Sequence, residues 1–480
     1  MALTLALEDT DIPKFDKPKY SRHLRGWFSY AFASEVFVIV SLTLFLPICL
    51  EQFARDNGFL LPDKKYPCTP VTTQPVAREA NQDARCVVKL GWVWIDSASF
   101  SLYVYSISVA LQALTVISMG GIADHPPHRK KLLLTFAALG SLSAILFLLL
   151  PSSSAIWPVV ALLAIVANVG FGASIVALNA YIPTLAQGAQ EVRRTTPIGD
   201  AHDPLLGSGG GVDALVSEAK ARHDKLLSAT TSRISSQGIA LGYAAGIGST
   251  DSLRLAVGLS GLWWALFSLP AAGLASWRGA IVLEESEPDV IATRLREEED
   301  WSISREIVRA WKRLGQMLKW REIKSLRNTF VYLAAWFLLS DGFTTITSTA
   351  LLFAKTTLHM PASSLILIGA LTPSAVFQKS NVKFGGLTTP GEMYVLAVYF
   401  GSVYGAFQGY ARAFYAEFIP PGEEARWYGL FSITDKSSSF VGPLVVGLIA
   451  DATGNIRYAF FFLVFMIWSA DARRYTALGT

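Results

Sequence analysis

Charge is what this sequence has least of. Only 16% of its 480 residues are Asp, Glu, Lys or Arg, against about 25% in an ordinary soluble domain. Its 41 basic and 37 acidic residues nearly cancel, leaving +4, which argues against nucleic acid as a partner. Cysteine is scarce as well: three residues exclude a disulfide-dense scaffold. The chain has no Gly-x-Ser-x-Gly, no His-Glu-x-x-His and no Gly-x-x-x-x-Gly-Lys-Ser/Thr. Hydrolase, zinc-protease and P-loop ATPase chemistry therefore lack their residues, and neither enzyme activity, cofactor nor metal is expected. Residues 1–26 contain no apolar core and no small-residue cleavage site, so a cleavable signal peptide is not expected.

Apolar residues, by contrast, make up 52%, and the 37 glycines bring the total to about 60%. Mean hydropathy is +0.38. A helix needs roughly 20 apolar residues to cross the hydrocarbon core. Runs of that length occur at Trp27–Leu50, Ser99–Met119, Leu132–Leu150, Trp157–Ile182, Leu255–Ala275, Thr329–Ala354, Met393–Ile419 and Tyr428–Ala450. Three shorter runs, Gly238–Gly248, Ser363–Phe377 and Tyr458–Ala470, are marginal. At 1.5 Å per residue the first of these reaches only about 17 Å and cannot cross as a plain helix. The expected fold is all-α, a polytopic membrane bundle.

Flanking Lys and Arg set the direction of the spans. Lys14, Lys17, Lys19, Arg22 and Arg25 precede the first, and His128-Arg129-Lys130-Lys131 follows the second. Arg305 to Arg327, with eight basic residues and two acids, precedes the span at 329. All three share one side if residues 1–26 are cytosolic. The polar loop 51–98 then faces a lumen, where Cys68 and Cys86 form a disulfide or remain two free thiols. Residues 27–182 carry the first four spans and 237–276 the shortened fifth and the sixth. Between them, 183–236 reads as a disordered cytosolic linker around Gly207-Ser-Gly-Gly-Gly211. The charged region 277–327 holds Ile303, Ile307, Trp311, Leu314 and Leu318 at helical spacing beside Arg309, Lys312, Arg313 and Lys319. That pattern suits an amphipathic helix on an anionic leaflet, or one packed on the bundle. Residues 328–470 form an incomplete C-terminal half, and 471–480 a tail.

Gly172-Ala-Ser-Ile-Val-Ala-Leu-Asn-Ala-Tyr-Ile-Pro183 echoes Gly409-Tyr-Ala-Arg-Ala-Phe-Tyr-Ala-Glu-Phe-Ile-Pro420. Parallel repeats of half a bundle build one large class of transporters. Gly120-Gly-Ile-Ala-Asp124-His-Pro-Pro-His-Arg129 resembles the signature loop of the major facilitator superfamily. In it Gly120 permits close helix approach, while Asp124 can pair with a base such as Arg129 or with a helix N-terminus as the bundle rocks. His125 and Pro127 replace the usual base and glycine.

Longer segments narrow the likeness. Arg25-Gly-Trp-Phe-Ser-Tyr-Ala-Phe-Ala-Ser-Glu35, Gly238-Ile-Ala-Leu-Gly-Tyr-Ala-Ala-Gly246, Gly258-Leu-Ser-Gly-Leu-Trp-Trp-Ala-Leu-Phe-Ser-Leu-Pro270 and Tyr428-Gly-Leu-Phe-Ser-Ile-Thr-Asp-Lys-Ser-Ser-Ser439 resemble the fungal autophagy-related protein 22 family of vacuolar amino-acid effluxers. The resemblance implies twelve helices of major facilitator type, a vacuolar membrane location, and export of amino acids released by autophagic degradation. This chain departs from the pattern in the fifth span, which stops at Gly248, and after Leu371-Thr-Pro-Ser-Ala375. There it jumps to Val376-Phe-Gln-Lys-Ser380, leaving out the end of the eighth span and much of the ninth; the last span also ends early, at Ser469-Ala470. The losses resemble segments missing from a gene model or a splice form and leave roughly ten helices.

Ionisable groups inside apolar spans cost about 2.5–3.5 kcal/mol each on insertion scales and are functional suspects. Glu35, Asp341, Arg412 and the pair Asp435 and Lys436 stand in such positions. Gln408, Arg412 and Tyr415 share one helical face, and Asn168, Gly172 and Asn179 form a stripe on the fourth span. A zwitterionic amino acid needs an acceptor for its ammonium, offered by Glu35 or Asp341. It also needs a donor for its carboxylate, offered by Arg412 or a broken-helix N-terminus. Alternatively these charges neutralise one another inside the bundle. Without an ATPase motif, transport runs on an ion gradient, with protons as a partner, or downhill. The competing readings are a non-transporting scaffold that assists breakdown of autophagic vesicles, or a truncated, inactive form.

Overall fold

The structure, a computed structural model, describes residues 17–68, 85–124, 126–181, 185, 188–193, 253–274, 302–356 and 438–465, together with 222, 226, 395, 415, 427, 430, 431 and 433–435. Six described helices are long and apolar enough to cross a membrane, and Val441–Thr453 is a shorter apolar helix. The runs at 238–248, 363–377 and most of 393–419 lie outside the described residues.

Helix α1 (Lys17–Val36) continues through a π-helical segment, Phe37–Phe45, into α2 (Leu46–Asp56). Pro47 lacks the N–H that would close a regular turn there, and Leu46 N–H reaches back five residues to Ser41 O. Then come α3 (Ser97–Asp124), α4 (Pro126–Leu146), α5 (Val159–Asn179) and α6 (Leu253–Leu274). The second half holds α7 (Ile303–Met317), α8 (Trp320–Ser325), α9 (Arg327–Thr356) and α10 (Val441–Thr453), which ends at Gly454 with φ +72°.

In the first half α5 packs on α3 and α4, and α6 packs on α1 and α4. Trp264 of α6, fully buried, stacks on Phe37 at 4.9 Å and donates to the Tyr30 hydroxyl at 3.3 Å. Helices α4 and α5 nearly touch: a Cβ on Gly170 would lie 2.8 Å from Phe136 O and 2.9 Å from the Gly140 backbone. Close approach was expected at Gly120, but a Cβ there would meet open space. The expectation fails because α3 ends beside α7, and its tight contacts lie deeper. Outward-facing Leu139, Leu142, Leu162, Leu262, Leu266 and Leu269 are exposed, as a surface against lipid should be.

The loop 51–98 is not merely a loop. It carries an antiparallel sheet in the order β1 (Phe59–Leu60), β2 (Cys86–Leu90), β3 (Val93–Asp96). Gly91, at φ +62°, makes the two-residue turn between β2 and β3. Cys68 and Cys86 are joined in a disulfide. The start of the supposed linker is packed as well: Leu185, Ala189 and Val192 are buried around a helical turn at Gln190–Arg193. Leu185 closes over the end of α5 beside Leu178 and Tyr181, which a sequence window centred on the glycines hides.

All three basic segments lie at one end of the bundle. There Trp27 Nε1 donates to Leu178 O, Lys130 Nζ to Ala272 O, and Trp311 Nε1 to Ser118 Oγ. The sheet and the disulfide lie at the other end.

Candidate transport site between the halves

The two halves meet where α3 packs on α10 and, about as extensively, on α7. Helix α3 brings buried Ser99 and Ser106 to this seam, donating to Gly447 O at 3.1 Å and Phe440 O at 2.5 Å. Gly447 is required there, because a Cβ would sit 2.6 Å from the Tyr103 ring. On the second-half side of α10, α9 presents Trp336, Ser340, Asp341, Thr344 and Thr345 at helical spacing. Asp341 is fully buried, and both its oxygens accept from Gly442 N–H, at 3.0 and 2.8 Å. Gly442 stands in the first turn of α10, so the carboxylate neutralises the positive end of that helix. Asp435 Oδ1 accepts from Trp336 Nε1 at 3.1 Å and Ser340 Oγ at 3.0 Å. Thus Asp341 and Asp435, far apart in sequence, both tie α9 to the start of α10 within the second half, and Ser106 of the first half reaches the same start at Phe440 O.

The other candidates disperse. Glu35 is half-buried on α1, two residues before the π-helical segment and on the half opposite Asp341. Asn168, 1% exposed, donates to Ser108 Oγ at 2.6 Å, and its backbone oxygen accepts from Gln112 Nε2 at 3.0 Å. That binds α3 to α5. The expected stripe is broken: Asn168 and Gly172 are buried but Asn179, at the end of α5, is exposed. Seven residues take a helix about 20° short of two turns, and the terminus leaves the interface there. Gln408, Arg412 and Lys436 lie outside the described residues, as does the repeat at 409–420 apart from Tyr415. Arg129 of the loop motif is buried, donates from Nε to Ala123 O at 2.7 Å, and stands 4.9 Å over the Tyr181 ring. It thereby caps α3 against the end of α5.

Sequence reasoning missed a second polar cluster, at the sheet end. Arg85 Nε donates to Asp96 Oδ2 at 2.9 Å, and Nη2 donates to Ala450 O at 3.0 Å and Asp451 O at 2.6 Å. Asp451 in turn accepts from Asp96 N–H at 2.9 Å and from the Tyr103 hydroxyl at 2.5 Å. The latch joins the loop and α3 of the first half to the last turn of α10. Burial pushes the Asp96 carboxyl above the usual aspartate range, against the pull of Arg85. Below it Ile48, Leu102, Leu352, Phe353 and Val446 form an apolar plug drawn from both halves. Arg85 and Asp451 stand in polar loops or at a helix end, where a charge carries no signal by itself. Glu51, fully buried and 3.1 Å from Arg55 Nε, was missed because it lies just beyond the first apolar run.

A family model described as "Vacuole effluxer Atg22 like" matches residues 19–377 and 374–470. The chain belongs to this family. It is 38% identical to autophagy-related protein 22 of Cryptococcus neoformans var. neoformans serotype D, over 93% of this chain and 92% of that protein. To autophagy-related protein 22 of Coccidioides immitis it is 37% identical, over 94% and 85%. To autophagy-related protein 22-1 of Penicillium rubens it is 34% identical, over 98% and 92%. The first alignment runs over 555 positions, more than the 480 residues of the chain, so the Cryptococcus relative carries segments opposite gaps here. The two family matches also meet at 374–377, within the junction at 371–380 where the family pattern breaks. The chain is accordingly a multi-pass membrane protein of the Atg22-like vacuole effluxers, a transporter family tied by name to autophagy.

Proposed function

We propose that this Atg22-like chain exports amino acids from the vacuole to the cytosol by alternating access, with residues 1–26 cytosolic. The latch carries the reading. It clamps the halves together at the sheet end through an arginine, two carboxylates and a tyrosine, as a carrier closed toward the lumen requires. The basic segments at the opposite end support the cytosolic assignment. In this reading the Asp341–Asp435 pair receives the substrate ammonium or a coupling proton when the latch opens, with Glu35 and Arg412 as further candidates for the same chemistry.

The gapped alignment favours a second reading, in which the chain is a truncated form without activity. Efflux of labelled leucine and lysine from vacuolar vesicles carrying the chain, at verified protein level, decides between them. Efflux above that of empty vesicles supports transport. Its absence, beside activity of a form restoring the segments at 248 and 375, supports the truncated reading. Silence from both forms returns the argument to a scaffold.

A further inference from the structure

Helix α7 was expected either on a lipid leaflet or on the bundle, and one face of it packs on α3 of the bundle. Met317 and Glu306 are buried, Glu306 pairs with Arg309, and Trp311 bonds Ser118 of α3. Yet Val308, Leu318 and Trp320 remain 51, 49 and 70% exposed, too apolar for a surface meant for water. Next to them Lys312, Arg313, Lys319 and Arg321 form no ion pair among the described residues. Leu318 also closes one end of an open groove of about 350 Å3 walled by Phe330, Leu333, Phe337, Leu338 and Leu430, with Thr434 among its few polar atoms. The next residue along the chain is Lys319.

We propose that this surface binds an anionic phospholipid, an acyl chain lying in the groove and the headgroup phosphate resting on Lys319 and Arg321. The basic charge selects an anionic headgroup, and the groove together with Val308 and Trp320 selects a lipid over a soluble anion. The chain's own acidic run Glu297-Glu-Glu-Asp300 matches the charge but would leave those apolar side chains in water. Binding here does not depend on which solute the carrier moves.

The test titrates the purified full chain in detergent with fluorescent phosphatidylserine and with phosphatidylcholine of the same acyl chains. Phosphatidylserine should bind at least tenfold more tightly. Each basic residue beside an anionic headgroup contributes about fivefold, so Lys319→Gln with Arg321→Gln should weaken phosphatidylserine about twenty-fivefold and phosphatidylcholine little. Ala334→Trp, which fills the groove, should weaken both lipids. If the first double variant melts early, Lys312→Gln with Arg313→Gln, on the exposed side of α7, should show a smaller loss of the same sign. Equal binding of the two lipids, or full displacement by soluble glycerophosphoserine, overturns the proposal. So does a preference that appears only after residues 297–300 are neutralised, which would make the acidic run the occupant.

Discussion

Replacing Asp341 separates a helix cap from a transport group. The carboxylate is fully buried and holds Gly442 N–H with both oxygens, with Thr345 Oγ1 at 3.4 Å. Asp341→Ala strands a buried N–H, at about 1–3 kcal/mol, and removes an anion from a helix N-terminus, worth up to about 2 kcal/mol. A loss of about 3 kcal/mol should follow, read as earlier thermal unfolding of the detergent-purified chain. Asp341→Asn keeps one oxygen on Gly442 and the same volume, so its cost should stay near 1 kcal/mol. What it removes is the charge and the ability to bind and release a proton. If Asp341 takes the substrate ammonium or a proton, the Asn variant reaches the membrane at normal level and exports no labelled leucine. Wild-type efflux from that variant would refute the transport role and leave a cap. Unchanged melting of the Ala variant would refute the cap.

Arg85→Ala should loosen the sheet end by about 2 kcal/mol, roughly thirtyfold in the open-to-closed ratio, after allowing for its partial exposure. The readout is faster labelling of Ser99→Cys, beneath the latch, by an impermeant maleimide. Asp96 makes the same latch pH-dependent. Its raised carboxyl holds a proton more tightly when latched, so this contribution is full below the ordinary aspartate pKa near 4 and is lost as pH rises through the raised value. Labelling at Ser99→Cys, divided by the rate of a free thiol at the same pH to remove the rising thiolate fraction, should therefore speed up with rising pH in that window, and Asp96→Asn should flatten the corrected profile. Gly170→Ala should lower thermal stability by about 1–3 kcal/mol because its Cβ meets backbone that cannot yield. Gly120→Ala, in open space, should melt no earlier than the native chain.

Several features were legible from residue order because they depend on neighbours along the chain. The six described spanning helices follow from apolar run length, whereas the run Tyr428–Ala450 yields the short helix Val441–Thr453 after a turn at 439–440. The shared end of the basic segments follows from one crossing per span. Family membership needed only long matching segments such as Tyr428–Ser439. The pairing of Cys68 with Cys86 was one of two readings until the sheet was seen. The seam was half legible: Asp341 and Asp435 stood out as charges inside apolar runs, but nothing in their spacing joined them to Gly442, Trp336 or Ser340.

The sequence by itself determined that this is a multi-pass membrane protein, where its six described spanning helices run and which family it belongs to. Hydrophobic run length and flanking charge are local quantities that a membrane reads one segment at a time. Only the tertiary structure decided which polar residues act together. Arg85 reaches Asp451 across 366 positions, and Ser106 reaches Phe440 across 334. Such contacts arise from helix packing, which is set by shape at every seam, and a charge in a polar loop looks the same whether or not it closes a latch.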